Sequence, residues 1–270
     1  MTKLLNGREL AEFIKERQSK DVRALIQAGG IKPKLAIVQC KDDPVINTYV
    51  NLKKRYGADI SIDVDVHFIG QAEIPNLLKQ LNADNSVHGI IVQLPLSDPD
   101  QTDEIVNMVA PEKDVDALGQ KSLFTPATPM AIMWLLAGYN VELPGKHVLL
   151  IGRGKLVGAP LEKMLRDSDI DVEVIDRSAT DLSAHTKEAD VIITATGSPA
   201  ILYSDMIKQG AVVVDAGVAS ESGKTVGDLS PDVYEREDLT ITPTKGGVGP
   251  LTVCALFENV IRAAKNLKGK

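Results

Sequence analysis

Tyr49 and Lys53 stand four residues apart in the segment Ile46 to Tyr56, whose spacing predicts a helix, so both side chains leave from one helical face. On a solvated face the pair is a tyrosine beside a surface charge. In a covered pocket, burial lowers the lysine pKa and lets the amine move protons near neutral pH. Further along, HGIIVQLPL carries Gln93 and Leu94 out of a buried run, at the C-terminal end of a predicted strand where parallel α/β sheets bind ligands. PEKDVD puts the carboxylates Asp114 and Asp116 in a loop, and TKGGVGPLT, 244–252, is a glycine loop leading into the last predicted helix. Each of these taken singly is ordinary turn chemistry; together they suggest a cleft between two domains.

A second constellation is HVLLIGRGKLVGAP, 147–160. Four apolar residues run into Gly152, Arg153 and Gly154, and a helix-like segment follows Gly158 and Pro160, which reads as strand, tight turn, helix. Glycines there let a phosphate approach the backbone while the new helix aims its N–H groups and dipole at the anion. The expected guest is a dinucleotide. The spacing G-x-G-x-x-x-G differs from the usual fingerprint by one residue, and a turn without a ligand has the same pattern.

The elements that must position these residues follow from periodicity. Arg8 to Ala28 is a predicted helix, 33–40 a strand, Ile46 to Tyr56 a helix, Asp63 to Gly70 a strand, Ile74 to Leu81 a helix, Val87 to Leu94 a strand and Asp98 to Val109 a helix. That alternation implies a largely parallel α/β sheet. Pro126, Pro129 and LPGK at 143–146 punctuate a junction, after which 147–151, 171–175, 191–195, 211–214 and 239–241 read as the strands of a Rossmann-like domain. In the closing stretch Val253, Leu256, Val260, Ala264 and Leu267 form one helical stripe, which indicates core packing.

Composition narrows the classes. The 270 residues suffice for two domains, and 44% hydrophobic with 25% charged residues suits a globular chain. With 37 acidic against 30 basic residues, net −7, nucleic acid and anionic membranes are poor partners. No apolar run approaches the ~18 residues of a membrane span, and the N-terminal stretch lacks a signal-peptide core, so cytoplasm is the default expectation. Cys40 and Cys254 are expected to be reduced and structural, and His67, His88, His147 and His185 are scattered without metal-ligand spacing, so no metal is expected.

Tyr49-x-x-x-Lys53, VQLPL at 92–96, PEKDVD at 111–116, TPATP at 125–129, GRGKLVGAP at 152–160 and GGVGPLT at 246–252, in this order, resemble the methylenetetrahydrofolate dehydrogenase/cyclohydrolase family. The resemblance implies two α/β domains flanking a cleft: a catalytic, folate-binding domain at 1–124 completed by the returning last helix at 251–270, and a Rossmann-like NAD(P)-binding domain at 125–250. It implies a homodimer that oxidises 5,10-methylenetetrahydrofolate with NADP and hydrolyses the methenyl product to 10-formyltetrahydrofolate. Lys53 would then be the general acid/base of hydrolysis, Gln93 would hold and tune its amine, Tyr49 would stack on the folate and Asp114 would anchor the pterin. Leu94, Gly247, Val248, Gly249 and Pro250 would border the folate. Gly152, Arg153 and Gly154 would form the phosphate turn, with Ser178 at the ribose-phosphate position and Val218 on the nicotinamide side, and Arg153 and Arg177 could each clamp a 2′-phosphate.

Some positions depart from the family pattern. Asp176 ends the second Rossmann strand where a carboxylate accepts from a free ribose 2′-OH and repels a 2′-phosphate, which makes NAD a possible cofactor, whereas Arg177 and Ser178 favour NADP. LGQKSLF replaces a longer segment after Asp116, Ile46 stands at a usual serine, TPATP lacks the usual cysteine, and Lys245 replaces a proline. A monofunctional NAD-dependent dehydrogenase and a folate- or nucleotide-binding protein without catalysis are the alternatives.

Overall fold

The structure is a computed structural model that describes residues 2–176, 179–221 and 224–267. In chain order the elements are β1 (Lys3–Leu4), α1 (Gly7–Gly29), β2 (Lys34–Gln39), α2 (Pro44–Asp59), β3 (Asp63–Phe68), α3 (Ile74–Ala83), β4 (Gly89–Val92), α4 (Thr102–Val106) and α5 (Ala127–Gly138). They continue with β5 (Val148–Ile151), α6 (Gly158–Asp167), β6 (Val172–Ile175), α7 (Leu182–Glu188), β7 (Val191–Thr194), β8 (Val212–Asp215), β9 (Ala219–Glu221), β10 (Lys224–Val226), β11 (Thr240–Ile241) and α8 (Val248–Leu267). The chain forms two compact units, one of residues 12–127 with 253 onward and the other of residues up to 11 with 128–252.

The first unit is built on a three-stranded parallel sheet of order β3-β2-β4. Its central strand β2 is buried from Leu35 to Gln39, as a strand covered on both faces must be, and β4 is buried throughout. Ala36, Val38, Ile90 and Val92 pack with Ile74, Leu78 and Leu81 of α3 and with Ile105 and Val106 of α4. The expected helix over 98–109 is shorter than its apolar pattern suggests. Asp98 caps a single 3-10 turn at Pro99, and the Asn107 side chain takes the Asp103 carbonyl at 2.6 Å, closing α4 after Val106.

The second unit holds a six-stranded sheet of order β1-β11-β8-β7-β5-β6, every pairing parallel. All residues of β5 and β7 are buried. From β5 the chain crosses to β6 on one side and later returns to β7 on the other, so the order reverses between β5 and β7. In open α/β sheets that reversal point is where ligands bind, outside the carboxyl ends of the strands. The N-terminal strand β1 joins this sheet: Lys3 donates its N–H to Leu239 and Leu5 to Ile241, and the Leu5 side chain is fully buried. Two residues of strand are too few to leave a period in the sequence. The antiparallel pair β9-β10 likewise has no advance signal beyond its glycine.

Candidate active site

The first unit gathers four of the chemistry-bearing residues. Asp43 caps α2 by accepting from the N–H groups of Val45 and Ile46 at 2.8 and 3.2 Å, with Pro44 preset for the first turn. The buried positions of α2 are Ile46, Val50 and Gly57, and Lys53 lies on the same stripe, at a spacing where a hydrophobic residue is the norm. Gly57 is required by packing: a Cβ there would come within 2.5 Å of the Val64 methyl. Lys53 is half-buried and donates from Nζ to Oε1 of Gln93 at 2.7 Å. Gln93 follows β4 directly; its own N–H bonds the Val38 carbonyl, and its Nε2 donates to the Leu94 carbonyl at 3.1 Å. Its amide orientation is therefore fixed, with the oxygen toward Lys53. Leu94 leads into a cis peptide bond with Pro95. Tyr49, one turn before Lys53, is 39% exposed and leaves its ring open to the surface.

Burial pushes the Lys53 amine below the ordinary lysine pKa, and the negative charge of Asp116 pulls it back up. Asp116 is itself pushed up by burial and drawn down by Lys53. The two form a coupled pair that shares the cost of leaving water, which leaves the amine able to exist neutral below the usual lysine range.

Asp114 is differently placed. Its side chain turns into its own loop: Oδ2 accepts from the Gly119 N–H at 2.8 Å and Oδ1 from the Leu118 N–H at 3.4 Å, and the residue is 3% exposed. Burial raises its carboxyl to about 6. The geometry gives Asp114 the task of folding residues 117–122, where the pterin-anchoring role was expected, and puts Asp116 beside Lys53. The KDVD pattern holds the reason, since residues two apart in an extended stretch point the same way only until the Asp114 backbone bridges to Ile90 and the chain turns at Ala117, φ +57°. Lys113 completes the loop by donating to the carbonyls of Leu81, Asn82 and Asp84 at 3.0, 2.9 and 2.7 Å, closing the end of α3 with a buried cation.

In the second unit the turn after β5 has the expected form. Gly152 adopts φ +97°, a conformation that side chains resist, and its N–H bonds the Ile175 carbonyl at 2.8 Å. A Cβ on Gly158 would overlap the Gly152 carbonyl, so the helix start packs onto the turn only without a side chain. Around Gly154 a Cβ would meet no described atom within 4 Å. The close packing of two glycines and the open space at the third fit a cradle for a phosphate approaching the backbone. Arg153 is largely exposed, but its Nε is engaged by Glu162 of α6 at 2.6 Å, so it would reach an anion only by competing with that carboxylate. Asp176 is exposed immediately after β6. Arg177 and Ser178 lie outside the described residues. Val218 is 60% exposed, in the loop after β8.

The glycine loop also belongs to the second unit. Gly246 is at φ +90°, its carbonyl accepts the Arg8 N–H at 2.9 Å, and a Cβ on Gly7 would overlap the Gly247 carbonyl. Val248 is buried, Gly249 is open to solvent and Pro250 is half-buried in the first turn of α8. Cys40 and Cys254 are free thiols; Cys254 is buried and accepts from the Tyr56 hydroxyl at 3.2 Å, and burial raises it to about 11, far from a nucleophile. Among the described residues no group of three or more His, Cys, Asp or Glu is arranged to hold a metal, and no helix is long and apolar enough to cross a membrane.

A parallel sheet with a glycine turn at its reversal point, in one chain with an α/β unit presenting a half-buried lysine hydrogen-bonded to a glutamine, defines a two-unit α/β enzyme with a Rossmann-type nucleotide-binding half. The model for the tetrahydrofolate dehydrogenase/cyclohydrolase catalytic domain matches residues 5–116, and that for the NAD(P)-binding domain of the same family matches 126–268. The chain belongs to the tetrahydrofolate dehydrogenase/cyclohydrolase family. It is 39% identical to the bifunctional protein FolD of Campylobacter jejuni strain RM1221, over 97% of this chain and 98% of the relative. The crystal structure of the bifunctional FolD enzyme from Campylobacter jejuni superimposes with a TM-score of 0.91 at 38% identity, covering 98% of this chain and 99% of that one. The Trypanosoma brucei enzyme, solved with NADP and an inhibitor, gives 0.91 at 28% identity, covering 98% of each chain.

Proposed function

We propose that the chain oxidises 5,10-methylenetetrahydrofolate with a nicotinamide dinucleotide and hydrolyses the resulting methenyl compound to 10-formyltetrahydrofolate. The observation that carries this reading is the 2.7 Å bond from Lys53 to Gln93 beside Asp116, a proton-handling group on an otherwise apolar helical stripe. Family membership and the resemblance to bifunctional FolD enzymes support it. In hydrolysis the neutral Lys53 amine takes a proton from the water that attacks the methenyl carbon. It returns that proton to N5 of the folate as the carbon–N5 bond breaks, while the remaining hydroxyl proton of the tetrahedral adduct passes to solvent as the C=O forms, leaving the formyl group on N10. Gln93 holds the amine at the acceptor distance and keeps it from rotating away. Tyr49 offers its open ring to the folate, and Asp116, in place of Asp114, offers the carboxylate for the N–H donors of the pterin edge. Leu94 and the loop Gly247 to Pro250 are assigned to the folate surroundings by family pattern.

The turn at Gly152, Arg153 and Gly154 would hold the phosphates of NADP, with Val218 on the nicotinamide side. When bound, the nicotinamide supplies the hydride acceptor. The chain's own task in that step is orientation, because the folate nitrogens stabilise the cation left behind. The folate-binding part, expected at 1–124 with 251–270, corresponds to the unit of residues 12–127 with 253 onward, and the nucleotide-binding part, expected at 125–250, to the unit of residues up to 11 with 128–252; a homodimeric assembly and a cytoplasmic location belong to the same reading.

One observation favours a second cofactor reading: Asp176 stands at the end of β6, where a carboxylate selects a free 2′-hydroxyl and therefore NAD. Incubating purified protein with methylenetetrahydrofolate and NADP or NAD, in parallel, tests both. Reduction of either cofactor supports the dehydrogenase; reduction of neither overturns it, and ligand binding without turnover leaves a binding protein.

A further inference from the structure

The loops that follow β7 and β8 are held by two buried carboxylates, Asp215 and Asp228, that take no part in the chemistry described above. Asp228 is fully buried. Its Oδ2 accepts from the Thr196 N–H at 2.8 Å and its Oδ1 from the Ser198 N–H at 3.0 Å, so it fixes the loop after β7. The same carboxylate lies where a side chain on Gly217 would be, so it also sets the loop after β8. Asp215 is braced reciprocally. It accepts from the N–H groups of Gly217 at 2.9 Å and Asp228 at 3.1 Å and from the Thr194 hydroxyl at 3.2 Å, and its carboxylate occupies the side-chain position of Gly227. A buried carboxyl group persists only when its lone pairs are satisfied, and here backbone N–H groups and the Thr194 hydroxyl satisfy them.

The loop after β7 borders the point where the strand order reverses, and the loop after β8 lies beside it. A Cβ on Gly152 would come within 2.8 Å of the Ala195 carbonyl and 3.0 Å of the Thr196 methyl, so the loop after β7 is the wall against which the glycine turn rests. A Cβ on Gly197 would come within 3.3 Å of the Val218 carbonyl, so the loops after β7 and β8 touch each other. Moving Thr196 or Gly217 therefore moves Gly152 and Val218, the two places at which the chain is expected to meet a dinucleotide.

We propose that Asp228 is a positioning residue for the dinucleotide, acting through Thr196 and Ser198 on the turn at Gly152 and through Gly217 on Val218. Being fully buried, it shapes the crevice without meeting the ligand. The proposal rests on the dinucleotide reading of the second unit.

The test is Asp228→Asn, which keeps size but presents an N–H to one of the two backbone N–H donors. Dinucleotide affinity is measured by calorimetry with NADP and with NAD, beside thermal melting and the rate of methenyltetrahydrofolate hydrolysis, which depends on residues of the first unit. The expected result is a Kd raised about tenfold or more, with hydrolysis within about twofold of wild type. An unchanged Kd overturns the proposal, and so does a parallel loss of affinity and hydrolysis with a collapsed melting transition. Hydrogen exchange at Thr196 and Ser198 in the wild-type protein is a second readout. NADP or NAD should slow both amides, and unchanged exchange at saturating dinucleotide counts against the proposal. Wild-type protein that binds a dinucleotide but oxidises no methylenetetrahydrofolate overturns the proposed activity and leaves the role of Asp228 standing; binding of neither dinucleotide overturns both.

Discussion

The Lys53 amine and the Gln93 amide oxygen meet at 2.7 Å, joining a helix to the end of a strand forty residues further along. The bond places a depressed-pKa amine at the carboxyl edge of the β3-β2-β4 sheet, where a general acid/base of the proposed hydrolysis must sit. Lys53→Met keeps the stem of the side chain and removes the proton carrier. Hydrolysis of methenyltetrahydrofolate, followed by loss of its absorbance, should fall by at least about a hundredfold, the usual contribution of a positioned acid/base. Unchanged hydrolysis would remove Lys53 from the mechanism.

The pH dependence has a definite sign. Burial lowers the Lys53 pKa, so the neutral amine gains population, and hydrolysis rises, as pH climbs through that depressed value. Asp116 opposes the shift. Asp116→Asn removes the stabilising negative charge, lowers the Lys53 pKa further and should move the rising limb of the pH–rate profile to lower pH. A limb that stays in place or moves upward is the contrary result.

Asp114 gives a stability prediction of the other kind. Burial pushes its carboxyl up to about 6 in the fold, above the ordinary aspartate value of about 3.9. Between those values the folded chain holds a proton the unfolded chain has released, so this contribution is full below the lower pKa and is lost as pH rises through the upper one. The span is at most about 3 kcal/mol. Asp114→Asn cannot titrate. The unfolding free energy of wild type relative to this variant, from urea denaturation, should therefore be larger at about pH 4.5 than at about pH 7.5; a difference independent of pH would contradict the assignment.

The three glycines of the β5–α6 turn should separate on substitution. Gly158→Ala pushes a methyl into the Gly152 carbonyl and should destabilise the second unit by about 1–3 kcal/mol. Gly154→Ala enters open space, so its melting temperature should be near wild type while calorimetry shows weakened NADP binding. Wild-type affinity in a Gly154→Ala protein would show that no phosphate approaches there.

Asp176 is the selector to test for the cofactor. Asp176→Ser removes the charge that repels a 2′-phosphate and should raise the ratio of kcat/KM for NADP to that for NAD by about tenfold, equivalent to ~1.4 kcal/mol. A ratio that does not move assigns the choice to other residues.

Much was legible in the chain itself. Hydrophobic alternation and glycine punctuation located the parallel strands other than β1 within a residue or two, because a strand buried on both faces needs a continuous apolar run and a phosphate turn needs residues without Cβ. The four-residue spacing of Tyr49 and Lys53 placed them on adjoining turns of α2, and Gln93 at the end of β4 followed from the same rules. The family pattern supplied the identity of the ligands.

What only the tertiary structure decided are the relations with no local signature. Asp114 and Asp116 look equivalent in KDVD, and the choice between them depends on which carboxylate the N–H groups of Leu118 and Gly119 claim and which one faces Lys53. Arg153 reads as a free phosphate clamp until the first turns of α6 bring Glu162 to its Nε. β1 is two residues long and gains its place from the N–H and C=O groups of 239–241, at the far end of the sequence. Asp215 and Asp228 appear as ordinary loop acids, and only the folded chain brings them against glycines of each other's loops. Sequence periodicity reports which face of an element is buried; which buried group meets which is a property of contacts between residues far apart in the chain, and those are fixed only when the whole sheet closes.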